Sequence, residues 1–146
     1  MSDGLEPITD AELLYRRIPA SANPPWYDPL TKALSDQAFA PHKTEDVTGL
    51  SVWRAQYRRI DEIGKPGKRY YVAVLEAGTV RRAGIRVEPR PETELGFDEA
   101  HAELPDLNSA NRKEKLTLER QRMLSELCLG VEGPFEMPLA PNSDLP

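Results

Sequence analysis

The sequence predicts an α+β protein: a small single domain with a short mixed sheet, a C-terminal amphipathic helix and proline-rich loops. Residues 70–75 form an apolar run that is typical of a buried strand. Apolar side chains recur at helical spacing within residues 110–129. Most of the 14 prolines cluster in residues 19–29, 89–91 and 134–146, so they mark irregular connections rather than disorder of the whole chain.

The length of 146 residues fits one domain. We expect residues 1–133 to form that domain and residues 134–146 to form a proline-rich tail, which packs along a groove or stays disordered. A single cysteine, Cys128, excludes an internal disulfide and fits a reducing compartment. The N-terminus lacks a signal-peptide core, and no apolar run approaches the roughly 20 residues that span a bilayer. These features predict a cytoplasmic protein without membrane contact.

The first element has two interpretations. Thr9 and Glu12 stand at capping-box spacing, which predicts a helix over residues 10–16. The same region also alternates as a strand would, with Leu13, Tyr15 and Arg17 on one side.

The next segments are short. Residues 19–29 are expected to be extended, with Trp26 and Tyr27 packed against the body of the domain. Ser35 is placed to cap a turn or a one-turn helix. Residues 49–53 alternate as a half-buried strand does.

The middle of the chain carries the strand at residues 70–75, which we expect to be central because it is apolar on both faces. Around it the pattern predicts a weak helix at 58–63, a helical turn at 79–83 closed by Gly84, and strands at 85–87 and 100–104.

The clearest predicted helix covers residues 110–129, with Asn108 or Ser109 as its cap and Gly130 at its end. One face of this helix is apolar and consists of Leu116, Met123, Leu124, Leu127 and Cys128.

Charge is distributed unevenly. Residues 54–90 hold ten Lys or Arg against four Asp or Glu, whereas both flanks are acidic. The basic middle either attracts a phosphate group or pairs with the acidic flanks of its own fold. The overall charge of −5 disfavours a general nucleic-acid binder.

Five short landmarks are distributed along the chain: Leu14–Ile18, Ser35–Phe39, Gly49–Val52, Val72–Gly78 and His101–Leu104. Together they resemble a group of small uncharacterised bacterial proteins. The resemblance covers roughly residues 13–104 and implies a compact bacterial domain, without an established activity.

His101 and Glu103 are the candidate catalytic residues. Two positions apart on a strand, their side chains face the same way and could transfer a proton or hold a polar ligand. The alternative is the polar outer face of a strand with a structural histidine. His-x-Glu also occurs in zinc deaminases, which need two further cysteines, so we predict no metal and no cofactor. Cys128 lies near a helix C-terminus and is expected to be a core residue, not a nucleophile.

Arg17, Arg81, Arg82 and Ser35 are the candidate ligand-binding residues. Guanidinium groups that converge on a cleft clamp phosphate or carboxylate, whereas dispersed ones form surface ion pairs.

Two function hypotheses follow. The first is a non-catalytic protein-interaction module of a bacterial cytoplasmic complex, because catalytic motifs are missing and proline-rich edges accompany a C-terminal helix. The second is a small nucleotide- or NAD-acting enzyme that loosely resembles ADP-ribosyltransferases. That resemblance implies Arg17 at a phosphate, Ser35 in positioning, and His101 with Glu103 polarising the reacting group. The chain lacks a Ser-Thr-Ser triplet, so the similarity is at the level of the fold.

Overall fold

The computed structural model describes residues 5–139, which form ten strands and two α-helices. Their bounds are β1 Leu13–Pro19, β2 Tyr27–Asp28, β3 Ala33–Leu34, β4 Leu50–Arg54, β5 Arg69–Glu76, α1 Ala77–Arg82, β6 Glu88–Pro89, β7 Glu92–Thr93, β8 Gly96–Phe97, β9 His101–Leu104, α2 Lys115–Leu127 and β10 Gly130–Glu136.

Six strands form the main sheet, in the order β10-β5-β1-β4-β9-β6. Every neighbouring pair in this sheet is antiparallel. Within residues 5–139, the parallel pairing is an isolated bridge between Pro66 and Met137, so the mixed character expected of the sheet is limited to that bridge. Two hairpins, β2–β3 and β7–β8, stand apart from the sheet. The domain is therefore α+β, as the sequence predicts.

One side of the sheet, which we call the core face, carries the main hydrophobic core. It presents Leu14, Ile18, Val52, Leu75 and Leu104, all with no exposed surface. The two α-helices and a one-turn 3₁₀ helix at Asp36–Phe39 cover these side chains. Complete burial of large aliphatic side chains makes this side the main source of hydrophobic stabilisation.

The other side, which we call the outer face, is polar and aromatic. Successive side chains on a strand alternate between the two sides of a sheet. Tyr15, Arg17, Trp53, His101 and Glu103 therefore share this face. A smaller apolar cluster lies at one end of it, made of Ile63, Tyr70, Val72 and Val74.

The helix predicted at residues 10–16 is wrong, and the alternative strand is right. β1 pairs with β5 from Leu13 to Pro19, and its alternate residues are buried. Long-range pairing overrides the local capping signal. Thr9 and Glu12 form a turn instead, in which the Glu12 amide donates to the Thr9 carbonyl at 3.1 Å.

The C-terminal helix is present but begins later than predicted. α2 starts at Lys115, and its cap residue, Glu114, makes no side-chain capping bond. Its buried residues are Thr117, Gln121 and Leu124, whereas Leu116 is 53% exposed, so the predicted apolar face is partly wrong. Within residues 5–139 no helix combines the length and the apolar composition needed to cross a membrane.

The rotation of α2 follows from its contact with the 3₁₀ helix. Gln121 donates to the Asp36 carbonyl at 3.5 Å, and Ser125 donates to the Asp36 carboxylate at 2.8 Å. The side of α2 that carries Gln121 faces inward at this contact, although Gln121 Oε1 has no hydrogen-bond partner among residues 5–139. Apolar spacing alone does not predict this orientation.

The predicted strand at 49–53 corresponds to β4, the one at 70–75 to β5, and the one at 100–104 to β9. β5 has a neighbour on each side, as expected of an apolar strand. Gly84 has a φ of 85° directly after the last turn of α1, which is the left-handed position that glycine favours.

Two predicted elements differ in extent. The helix expected at 58–63 is a single 3₁₀ turn at Ile60–Glu62. The strand expected at 85–87 is displaced to Glu88–Pro89, and Ile85 and Val87 instead contribute to the main core from an irregular segment.

Aromatic contacts hold the segment of residues 19–29 against the body of the domain. Trp26 and Tyr27 pack against the main core, as predicted, and the Tyr27 ring lies 5.0 Å from Tyr71.

β10 continues past residue 133, so the edge strand includes the first residues of the predicted tail. Residues 140–146 of that tail lie outside the described residues.

Replacement of Leu124 by Ala tests the rotation of α2. We expect a loss of about 3 kcal/mol in the free energy of unfolding, because a large buried side chain leaves a cavity. The matched change Leu118→Ala, on the exposed side, is expected to stay within about 0.5 kcal/mol. Urea denaturation measures both, and equal losses would contradict this orientation.

Candidate functional site

His101 begins β9 and has both ring nitrogens engaged. Nδ1 lies 2.7 Å from the Arg90 carbonyl oxygen, and Nε2 lies 3.1 Å from the Ser51 hydroxyl. A carbonyl only accepts hydrogen bonds, so Nδ1 carries a proton. In the neutral ring, Nε2 is then the acceptor and Ser51 the donor. The predicted catalytic histidine thus has a serine partner that the sequence did not suggest.

Trp53 connects His101 with Arg17. The His101 and Trp53 rings meet in an edge-to-face arrangement, with centroids 5.9 Å apart. The Arg17 guanidinium lies 4.8 Å from the indole centroid and donates to the Ile63 carbonyl at 2.7 Å. Burial lowers the pKa of Arg17, although the negative charge of Glu45 opposes that effect. Arg17 therefore brings a partly desolvated positive charge to the outer face.

Glu103 lies directly opposite Ser51 on the neighbouring strand and is 6% exposed. Both of its carboxylate oxygens accept from the Thr48 hydroxyl, at 2.9 and 2.8 Å. The chain passes close to this carboxylate at Gly49, where an added Cβ would stand 3.0 Å from the Glu103 Cβ. The described residues show no hydrogen bond from Glu103 to Ser51 or His101.

Ser35 lies on the opposite side of the sheet from these residues. Its hydroxyl accepts from the Gln37 amide at 3.1 Å and caps the 3₁₀ helix, so the predicted capping role is confirmed. The helix it caps packs against α2 and the core face. The structure therefore places Arg17, His101 and Glu103 on the outer face of the sheet and Ser35 on the other side.

Arg81 and Arg82 each contact a different carboxylate. Arg81 pairs with Asp10 at 2.9 Å, and Arg82 lies 3.6 Å from Glu76. Arg81 also lines an open depression of about 370 Å³ beside residues 84–88. Both arginines match the surface ion-pair alternative more closely than a converging clamp.

The basic middle of the chain pairs with its acidic flanks. This is the second of the two interpretations drawn from charge, and it is the one that the ion pairs support. The pairs between these segments are Arg54–Glu12, Arg58–Asp98, Lys65–Glu45, Arg81–Asp10 and Arg86–Asp106.

A buried ion pair between Arg16 and Asp46 was not found from the sequence. Arg16 donates to the carbonyls of Ala38 at 2.9 Å and Ser51 at 3.0 Å, and its Nη2 lies 3.8 Å from Asp46. Asp46 accepts from the amides of His42 at 2.6 Å and Ser51 at 3.0 Å. The sequence signal that could have revealed this pair is strand alternation, which places Arg16 on the same face of β1 as Leu14.

Arg54 is a second buried arginine that sequence reasoning missed. It has no exposed surface and binds Glu12 with two nitrogens, at 2.7 and 2.8 Å. Its guanidinium also stacks 4.8 Å from the Tyr57 ring centroid. The remaining nitrogen, Nη1, has no hydrogen-bond partner among residues 5–139. This pair ties the segment before β1 to the end of β4.

Cys128 is half-buried, and its thiol donates to the Gly130 carbonyl at 3.2 Å. Burial raises the pKa of this thiol, which disfavours the nucleophilic thiolate. Across the described part of the chain, no group of three or more His, Cys, Asp or Glu side chains is arranged to hold a metal ion.

Comparisons with protein-family models, with curated proteins and with solved structures found no match. The resemblance to small bacterial proteins remains a prediction.

Replacement of Asp46 by Ala is expected to destabilise the protein by about 3–5 kcal/mol. The change leaves the charge of Arg16 buried without its counterion and removes the acceptor of two amides. Urea denaturation at pH 7 measures the loss.

The matched control is Asp10→Ala, which also removes the acidic partner of an arginine. Asp10 is 70% exposed, so this change is expected to cost less than about 1 kcal/mol. Similar losses in the two variants would show that the buried pair does not organise the fold.

Proposed function

We propose that this protein is a protein-interaction module of a bacterial cytoplasmic complex and that it docks through the hairpin β7–β8. The observation that supports this proposal is the exposure of apolar side chains at the hairpin tip. Leu95 is fully exposed and Phe97 is 59% exposed. Proximity of two large apolar side chains on one projecting hairpin is typical of a binding element.

The hairpin has a defined shape, which lowers the entropic cost of docking. The Thr93 hydroxyl donates to the Gly96 carbonyl at 2.7 Å across the turn. At the base, the Asp98 amide donates to the Pro91 carbonyl at 2.6 Å, and the Asp98 carboxylate pairs with Arg58 at 2.6 Å. Pro89 and Pro91 precede the hairpin and form one of the three proline clusters of the sequence.

The charge of the hairpin restricts the kind of partner. Glu92, Glu94 and Glu99 surround the apolar tip and are exposed. The complementary surface is an apolar socket bordered by Lys or Arg on another protein. The C-terminal helix α2, which also exposes the large apolar side chain of Leu116, provides the second docking element of this proposal.

Replacement of Leu95 and Phe97 by Ser is expected to weaken the complex by about 2 kcal/mol or more, which is about 30-fold in Kd. Native mass spectrometry of the protein isolated from its own cells identifies the heteromeric mass. Titration of the purified partner then measures Kd for the wild type and the variant.

The matched control replaces Leu30 and Leu129 by Ser, because these side chains are similarly exposed elsewhere on the surface. It is expected to bind as the wild type does. Equal losses in both double variants, or a strictly monomeric protein in its own cells, would count against the proposed module.

The second candidate function is a small enzyme that acts on a nucleotide or NAD. The observation that favours it is the position of Arg17, His101 and Glu103 on one face of the sheet. A positive charge beside an indole ring suits a phosphate and a base together. Ser35 has no part in this version, because it lies on the other side of the sheet.

For the enzyme candidate, NAD or a nucleotide is expected to raise the melting temperature. His101→Ala combined with Glu103→Ala is expected to remove the shift, whereas Ser125→Ala, on α2, retains it. Thermal denaturation of each variant with and without a nucleotide panel measures this. A flat response of the wild type to the whole panel would refute nucleotide binding.

A further inference from the structure

The Ser51 hydroxyl is directed at a basic nitrogen on the outer face. Its Oγ lies 3.1 Å from His101 Nε2, and the described part of the chain gives this oxygen no other hydrogen-bond partner. Because the Arg90 carbonyl fixes the proton on Nδ1, neutral His101 can accept only at Nε2. The Ser51 proton therefore points at the lone pair of the imidazole.

We propose that Ser51 and His101 form a nucleophile and base pair that transfers the acyl group of a small carboxylic ester. An activated serine needs a base within hydrogen-bond reach and a third group that orients the base. Here the Arg90 carbonyl takes the place that a carboxylate occupies in a Ser-His-Asp triad. The Trp53 indole contacts the same imidazole and restrains it further.

The backbone of Ser51 is held on both sides. Its carbonyl accepts from Arg16 at 3.0 Å, and its amide donates to Asp46 at 3.0 Å. Ser51 and His101 are both partly exposed, so a small substrate can reach the hydroxyl. Ser51 therefore has a fixed backbone and an accessible hydroxyl, unlike a serine that is buried in the core.

The charges near the pair indicate the class of substrate. Arg17 contacts the same Trp53 ring as His101 and brings a positive charge, which favours an ester with an anionic group. Glu103 lies opposite Ser51, but Thr48 holds both of its carboxylate oxygens. The charges therefore favour an ester whose anionic group lies on the Arg17 side of the pair, away from Glu103.

The reaction uses two steps. Ser51 Oγ bonds to the ester carbonyl carbon while its proton passes to His101 Nε2, and the bond to the alcohol oxygen breaks as His101 returns the proton to that oxygen. Water then attacks the acyl-serine, again with His101 as the base, and releases the carboxylic acid and free Ser51. No oxidant, reductant or cofactor is required.

This inference goes beyond the proposed docking function and uses none of the hairpin side chains. The test is covalent labelling of the folded protein by a fluorophosphonate, in which Ser51 Oγ bonds to phosphorus and fluoride leaves. Intact-protein mass followed by peptide mapping is expected to show one label on Ser51. Hydrolysis of p-nitrophenyl acetate provides the turnover measurement.

Three variants identify the source of the reactivity. Ser51→Ala is expected to abolish labelling, and His101→Asn to slow it by about 100-fold or more. Ser125→Ala removes a hydroxyl on α2 and is expected to label at the wild-type rate. The Leu95→Ser, Phe97→Ser variant is also expected to label normally, so a failure of docking and a failure of this inference are distinguishable.

A thiol variant covers the case in which His101→Asn does not fold. Ser51→Cys in a Cys128→Ala background is expected to react with iodoacetamide at least about 10-fold faster than free cysteine at pH 7, because His101 takes the thiol proton. An unlabelled wild type, a label on another residue, or an introduced thiol that reacts no faster than free cysteine would each overturn the inference.

Discussion

The buried ion pair of Arg16 and Asp46 joins the strands β1 and β4 to the segment that precedes β4. Arg16 stands on the core face among aliphatic side chains, and burial lowers its pKa, although the Asp46 charge opposes this. A guanidinium in such a place must be paired and hydrogen-bonded. Arg16 satisfies this need through the carbonyls of Ala38 and Ser51, so the 3₁₀ helix and β4 are joined to β1 by one side chain.

The Arg16–Asp46 pair also affects the outer face, because both residues bind the backbone of Ser51. The same arginine and aspartate that stabilise the core hold both backbone groups of Ser51. The Ser51 hydroxyl then emerges on the opposite side, where it donates to His101. Buried side chains on the core face thus hold the backbone of Ser51, whose hydroxyl contacts His101 on the outer face. The pair is an example of a site supported by a rigid scaffold.

His101 also lies next to the proposed docking hairpin. The Arg90 amide donates to the His101 carbonyl, and the Arg90 carbonyl accepts from the imidazole. Pro91, at the base of the hairpin, directly follows Arg90, and the Asp98 carbonyl accepts from the His101 amide. The backbone at the start and end of the hairpin therefore also holds His101, although each proposal depends on different side chains.

The sequence by itself determined the α+β class, the apolar strand β5, the cap at Ser35, the glycine after α1 and the placement of His101 and Glu103 on one side of a strand. These features follow from local periodicity, turn chemistry and backbone preferences, which act between neighbouring residues. The tertiary structure decided that residues 13–19 form a strand, that α2 turns Gln121 inward, and that Ser51 rather than Ser35 meets the histidine. Those outcomes depend on contacts between residues far apart in the chain, such as Ser51 and His101, which are 50 positions apart, and local patterns carry no information about such partners.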